Sequence, residues 1–111
     1  MDMEAFEFCI LRTPANAAEL DEQTADRIQG EHLAYLRSLH EAGHTCATGP
    51  FGDRFDESLR GLVIYRTGSL DKARELAGQD PAVLAGQLEP MFMTWYTGAG
   101  TLSKPGTPVT F

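Results

Sequence analysis

One ionisable side chain sits where apolar ones belong. A helix from Thr24 to Ala42, turning once in about 3.6 residues, gathers Ala25, Ile28, Tyr35, Leu36, Leu39 and Ala42 on one face. Asp26, Arg27, Arg37 and Glu41 fall on the other. His32 lands between Ile28 and Leu39, near the centre of the apolar side. An imidazole is costly there unless something pairs with it. Two roles answer that demand. One is structural, a core histidine bonded to a backbone carbonyl. The other is chemical: a partner on one ring nitrogen fixes the ring and leaves the other nitrogen to move a proton. Imidazole's ordinary pKa of about 6.5 suits such work near neutrality.

The remaining reactive side chains fall into patterns that argue for less. His40 and His44 have the four-residue spacing of a helical metal pair, but Gly43 interrupts the helix between them and no third ligand stands nearby. They read as surface histidines, and no metal is expected. Asp53, Asp56 and Glu57 lack the ordered ligand spacing of a calcium loop and read as a solvated segment. Cys9 and Cys46 are far apart and in no redox or metal spacing, which suits small buried side chains in a reduced, cytoplasmic protein. Ser38, Ser58, Ser69 and Ser103 lie in no nucleophile elbow. No glycine-rich phosphate loop is present, so neither a nucleotide nor any other cofactor is expected. Asp80-Pro81 has the form of a helix start, an N-cap carboxylate followed by proline at the first helical position.

The elements that must position these groups alternate along the chain. Glu4–Arg12 alternates and is rich in Phe and Ile, so it reads as a strand with Phe6, Phe8 and Ile10 on one face and Ala5, Glu7, Cys9 and Leu11 on the other. Thr24 is the expected N-cap of the first helix and Gly43 its stop. Thr45–Thr48 is a short second strand, closed by Gly49-Pro50 as a turn. Leu59–Arg66 is a third strand. Ser69 caps a second helix, whose inner face is Leu70, Ala73, Leu76 and Ala77. A short helical turn from Pro81 to Ala85 ends at Gly86, and Gln87–Tyr96 is a fourth strand. Residues 4–96 thus form one domain, and 97–111, with Gly, Pro and Thr but no core pattern, a tail.

The strand–helix–strand–strand–helix–strand order predicts an α+β fold, a split βαβ arrangement with both helices on one face of a four-stranded sheet. The other face would be polar if it met water. Instead the third strand is apolar on both sides, and the fourth offers Met91, Met93 and Trp95 on one side and Phe92 and Tyr96 on the other. A second copy packed sheet to sheet is the simplest cover, so a homodimer is expected. With 111 residues, 42% hydrophobic and 23% charged, the chain has one modest core. A net charge of −7 argues against nucleic acid and anionic membrane as partners. No apolar run reaches the roughly 20 residues of a membrane span.

In this order and at these separations, a set of individually common residues resembles the YCII-related family of small dimeric α/β-barrel proteins. It comprises His32-Leu33 with Leu36, Gly43, Gly49-Pro50, Asp53 and Gly61, then Ser69 with Ala73, Asp80-Pro81 and Gly86. The resemblance covers Phe6 to Trp95. It implies a ferredoxin-like βαββαβ subunit whose sheets pair into a barrel across a two-fold axis. It also implies a site built on His32 and Asp80, with Asp53 near it. Some members carry out dehydrochlorinase-type elimination from hydroxylated aromatics. Two departures stand out: Ala82 occupies the position where an aromatic usually follows Asp-Pro, and Met93-Thr94-Trp95-Tyr96 lacks the family's usual proline.

The function expected from all this is cofactor-free acid–base chemistry, a lyase or hydrolase acting on a small organic molecule. His32 would be base or acid and Asp80 would orient its ring. The pocket would lie between the first helix and the sheet near Gly49-Pro50, with Leu36 as an apolar wall. The alternative is a non-catalytic ligand-binding or interaction module using the same cavity.

Overall fold

The computed structural model describes residues 2–102. Its elements run β1 (Met3–Arg12), α1 (Glu22–Glu41), β2 (Thr45–Pro50), β3 (Leu59–Tyr65), α2 (Leu70–Gly78), α3 (Pro81–Leu84) and β4 (Glu89–Gly98). The strands make one antiparallel sheet in the order β2-β3-β1-β4, so this is a small α+β fold with β1 and β3 at its centre. Each long helix crosses over one strand of the sheet before the chain re-enters it.

Period-two alternation in the strands decides what is buried. Cys9 and Leu11 of β1 and Val63 and Tyr65 of β3 join Leu39 of α1 and Ala73, Leu76 and Ala77 of α2 in one buried cluster. Both long helices therefore cover the same sheet face. Glu7 shares that face and is buried, its carboxylate accepting hydrogen bonds from the Thr67 backbone N–H and hydroxyl. On the opposite face Trp95 packs against Phe6 and Phe8, with ring centroids 6.3 and 5.8 Å apart. No described helix covers this aromatic group, and Met93, on the same face, is largely exposed.

Four expectations need correction. The N-cap of α1 is Asp21, three residues before Thr24, and its Oδ1 accepts the Thr24 N–H at 2.7 Å. Those hydrogen bonds from Thr24 hold the Asp21 carboxyl below its ordinary range. A polar first turn has no apolar periodicity to mark it, so the pattern misses it. For the same reason Ala25 and Ala42, assigned to the buried face, are exposed near the helix ends. At the other end the expected stop holds: Gly43 has φ +81°, and the N–H groups of Gly43 and His44 bond to His40 and Leu39 carbonyls.

The third correction concerns Gly49-Pro50, which continues β2 rather than closing it. Gly49 pairs with Leu62 and Pro50 with Gly61. Because β2 is an edge strand, proline is tolerated: Phe51 N–H bonds to Arg60, so by alternation the Pro50 nitrogen points away from the sheet. The other edge strand, β4, also carries a proline, Pro90. β4 itself starts later than expected and runs on to Gly98, which pairs with Met3, so residues 97 and 98 belong to the sheet. Of the expected tail, residues 99–102 form a turn beyond the strand, and 103–111 lie outside the described residues.

Gly61 is the position where the close strand pairing demands glycine, since a Cβ there would lie 2.8 Å from the Gly49 carbonyl oxygen. Gly61→Ala is therefore expected to destabilise the protein by about 1–3 kcal/mol. Gly30→Ala, in α1 with open space around it, should instead stabilise by about 0.5–1 kcal/mol. Urea denaturation of both variants tests the contrast, and equal midpoints would contradict it.

Candidate active site

The local sequence explains how each half of the site is held. Pro81 begins α3 with its ring already in helical geometry, and Asp80 before it is extended (φ −61°, ψ 126°), as an N-cap should be. Asp80 Oδ1 accepts the Ala82 N–H at 2.9 Å. That leaves Oδ2, which lies 2.6 Å from His32 Nδ1, the imidazole projecting from the middle of α1. Both side chains are buried, at 7% exposure for His32 and 3% for Asp80. One carboxylate thus serves as helix cap and as ring partner, the two uses falling on different oxygens.

The second ring nitrogen has a different environment. His32 Nε2 makes no hydrogen bond to any described residue. It is not sealed either, because Thr45 Oγ1 is the sole buried side-chain polar atom without a partner among the described residues. Nε2 therefore reaches open space, and His32 lines a cavity of about 880 Å³ between α1 and the β2–β3 side of the sheet. That volume lies within the range of small-molecule sites. Leu36, Gly49 and Pro50 also line it, as do Val63 and Cys46. Asp53 does not: it lies exposed on the loop between β2 and β3, outside the cavity lining.

Burial, with the Asp80 charge nearby as a smaller cause, pushes the Tyr35 hydroxyl and the Tyr65 hydroxyl above their ordinary ranges. Tyr35 is further engaged as a donor to the Leu76 carbonyl at 2.6 Å, tying α1 to α2. Burial pushes the Cys9 thiol up to about 12. Cys46 is raised as well, by burial, against a smaller opposing effect of Arg66. These four acids, raised above their ordinary ranges, stay protonated near neutrality. No group of three or more His, Cys, Asp or Glu among the described residues could hold a metal.

Three cavity residues escape the sequence pattern. Arg37 is assigned there to the polar helix face and His40 to the surface, yet both line the cavity, as does Arg60 of β3. His40 was findable, since His32, Leu36 and His40 follow the four-residue step of one helix face. Arg37 and Arg60 are exposed residues that border the cavity, and periodicity marks such positions only as solvent-facing.

Two measurements follow from this geometry. Asp80→Ala removes one partner of a buried pair and a cap together, and should cost about 3–5 kcal/mol; Asp80→Asn, which keeps a good cap, should cost less. Identical unfolding free energies for wild type and Asp80→Ala would exclude the pair's structural role. Alkylation by iodoacetamide near neutral pH should be slow at Cys46 and negligible at Cys9 in the folded protein. For Cys46 the rate should climb only as pH passes above the ordinary thiol range, because the reactive thiolate forms later. Intact mass read over a pH series checks the order.

Comparison with known proteins agrees with the fold. The solved structure of 5-chloro-2-hydroxyhydroquinone dehydrochlorinase (TftG) from Burkholderia phenoliruptrix AC1100, in complex with 2,5-dihydroxybenzoquinone, is similar with a TM-score of 0.59 and 20% identity. The similarity covers 81% of this chain and 92% of that one. No curated protein matches the chain. The YCII-related domain matches residues 6–91, which is most of the sequence and includes both His32 and Asp80. The chain belongs to the YCII-related domain family.

Proposed function

We propose that this protein is a small cofactor-free enzyme of the lyase type in which His32 moves a proton and Asp80 holds its ring. The observation that carries the reading is the asymmetry of the imidazole: Nδ1 held by a buried carboxylate at 2.6 Å, Nε2 without a hydrogen-bond partner among the described residues, on a residue that lines a cavity. A base needs that arrangement. The carboxylate selects the tautomer with hydrogen on Nδ1 and stabilises the imidazolium once Nε2 has taken a proton. In an elimination, Nε2 removes a proton from a substrate C–H or O–H. The freed electron pair forms the new π bond while the leaving group departs with its own bonding pair. The imidazolium then returns its proton to water. Leu36 and Val63 supply apolar walls for the substrate's body. The dehydrochlorinase activity named for the structurally similar TftG makes loss of chloride from a hydroxylated aromatic the first reaction to test.

Chloride release from a panel of chlorinated hydroquinones and hydroxyhydroquinones tests it. His32→Gln should lower kcat/KM by on the order of 10²–10⁴. Asp80→Asn should lower kcat more than it alters KM, because it acts through the ring. A far-downfield ring N–H proton resonance, present in wild type and absent from both variants, should accompany the loss. Saturable binding with no turnover of any panel member would instead identify a ligand-binding module.

The same proposal includes a ferredoxin-like subunit that works as a homodimer in the cytoplasm, its two sheets meeting face to face. Support comes from the uncovered sheet face, where Phe8, Ile10, Met91, Met93 and Trp95 form an apolar surface without a helix over it. The strand order and the helices' common face fit the subunit. Both cysteines are free, which suits a reducing compartment, and no described helix is long and apolar enough to cross a membrane. Light scattering at micromolar concentration should give twice the 12.2 kDa chain mass. Met93→Glu should shift it toward one chain. A single-chain mass for wild type would remove the dimer.

A further inference from the structure

The cavity's charge is opposite to that of the protein. The chain carries 16 acidic against 9 basic residues, yet no Asp or Glu lines the cavity, whereas Arg37, Arg60, His32 and His40 do. Of the five other arginines four pair with a carboxylate, Arg12 with Glu89, Arg27 with Glu31, Arg54 with Glu57 and Arg74 with Asp71, while Arg66, outside the cavity lining, makes no ion pair among the described residues. The two at the cavity have no carboxylate partner among the described residues. Among the described residues the Arg60 guanidinium bonds only the Thr13 hydroxyl, at 3.5 Å, and the Arg37 guanidinium makes no hydrogen bond. Two of the three arginines without a carboxylate partner among the described residues thus stand on one cavity that has no acidic residue in its lining.

We infer that the cavity takes a small apolar carboxylate, its anionic end held at the mouth by Arg37 and Arg60 and its body lying inward toward His32. This rests on the reading of His32 given above and adds the substrate's charge to it. Both arginines are exposed, which places them at the opening, while His32 is buried. Along α1, five residues separate His32 from Arg37, about 7.5 Å of axis. The ligand's carboxylate is therefore a separate group, not the one that exchanges a proton with Nε2. A guanidinium's planar fork matches a carboxylate in bidentate fashion, and the apolar walls between the two ends suit a hydrocarbon body rather than a second charge. The negative field of the remaining surface would discourage anions without such a landing point. Arg37 and Arg60 are in this sense specificity-determining residues, and neither is asked to take part in proton transfer.

The test is a binding titration by ¹⁵N NMR with phenylacetate, 4-phenylbutyrate and 2-naphthoate, each beside its primary amide, and with inorganic phosphate as a separate probe. At least one acid should perturb the amides of Cys46 and Gly49 and bind tenfold or more tightly than its amide. Arg37→Gln and Arg60→Gln should each weaken that acid by about tenfold and flatten its salt dependence, leaving the amide unaffected. Acid and amide binding alike, or indifference to both arginine variants, would overturn the inference. So would phosphate competing as well as the best carboxylate. His32→Gln separates this result from the proposed reaction: it should keep the acid–amide preference while abolishing turnover. Acid binding that survives without any turnover in wild type supports the carboxylate site and removes the enzyme. His32-dependent turnover of neutral compounds alone does the reverse.

Discussion

Everything distinctive about this protein depends on a short hydrogen bond between two buried polar groups from distant parts of the chain, His32 and Asp80, at 2.6 Å. Neither group is stable alone in that environment. A buried carboxylate without partners, or a buried imidazole without one, carries a desolvation cost of several kcal/mol. The fold meets the cost by sharing. Asp80 divides its acceptors between the start of α3 and the ring of α1, so the helix that fixes the carboxylate also fixes the imidazole's orientation. Packing supports the geometry from behind, where Tyr35 joins α1 to the end of α2 just before Asp80. What remains unbound among the described residues is one ring nitrogen of a residue that lines the cavity.

That division of labour shows which parts were legible in sequence. His32 stood out because a 3.6-residue period placed it among Ile28, Leu36 and Leu39, and Asp80 because Asp-Pro is a strong helix start. Their meeting was not derivable from local pattern. The two lie 48 residues apart, and only the family resemblance joined them in advance. The strands and both long helices could be read from alternation and capping, since core burial enforces those periods. Errors collected where burial is weak. The first turn of α1 is polar, so Asp21 competed unseen with Thr24 as cap. Asp53 sits on a solvated loop, where nothing in the local chemistry distinguishes a cavity residue from a surface one.

The site also shows how a charged chain can keep one region different. Side chains such as Arg37 and Arg60 are read by a helical or strand pattern as solvent-facing, and by exposure they are. Their placement at a cavity rim is a property of length and flexibility rather than of the backbone position. Pattern analysis therefore recovers the bottom of such a pocket better than its opening.

The two edge prolines have a further consequence. Growth of a sheet by strand addition needs a row of free N–H donors to act as a template, and Pro50 in β2 and Pro90 in β4 leave each outer row incomplete. A chain with an uncovered aromatic face would otherwise be a candidate for fibril formation as well as for ordered pairing. Interrupting both borders makes edge-to-edge addition of further chains less favourable than on an unbroken strand edge.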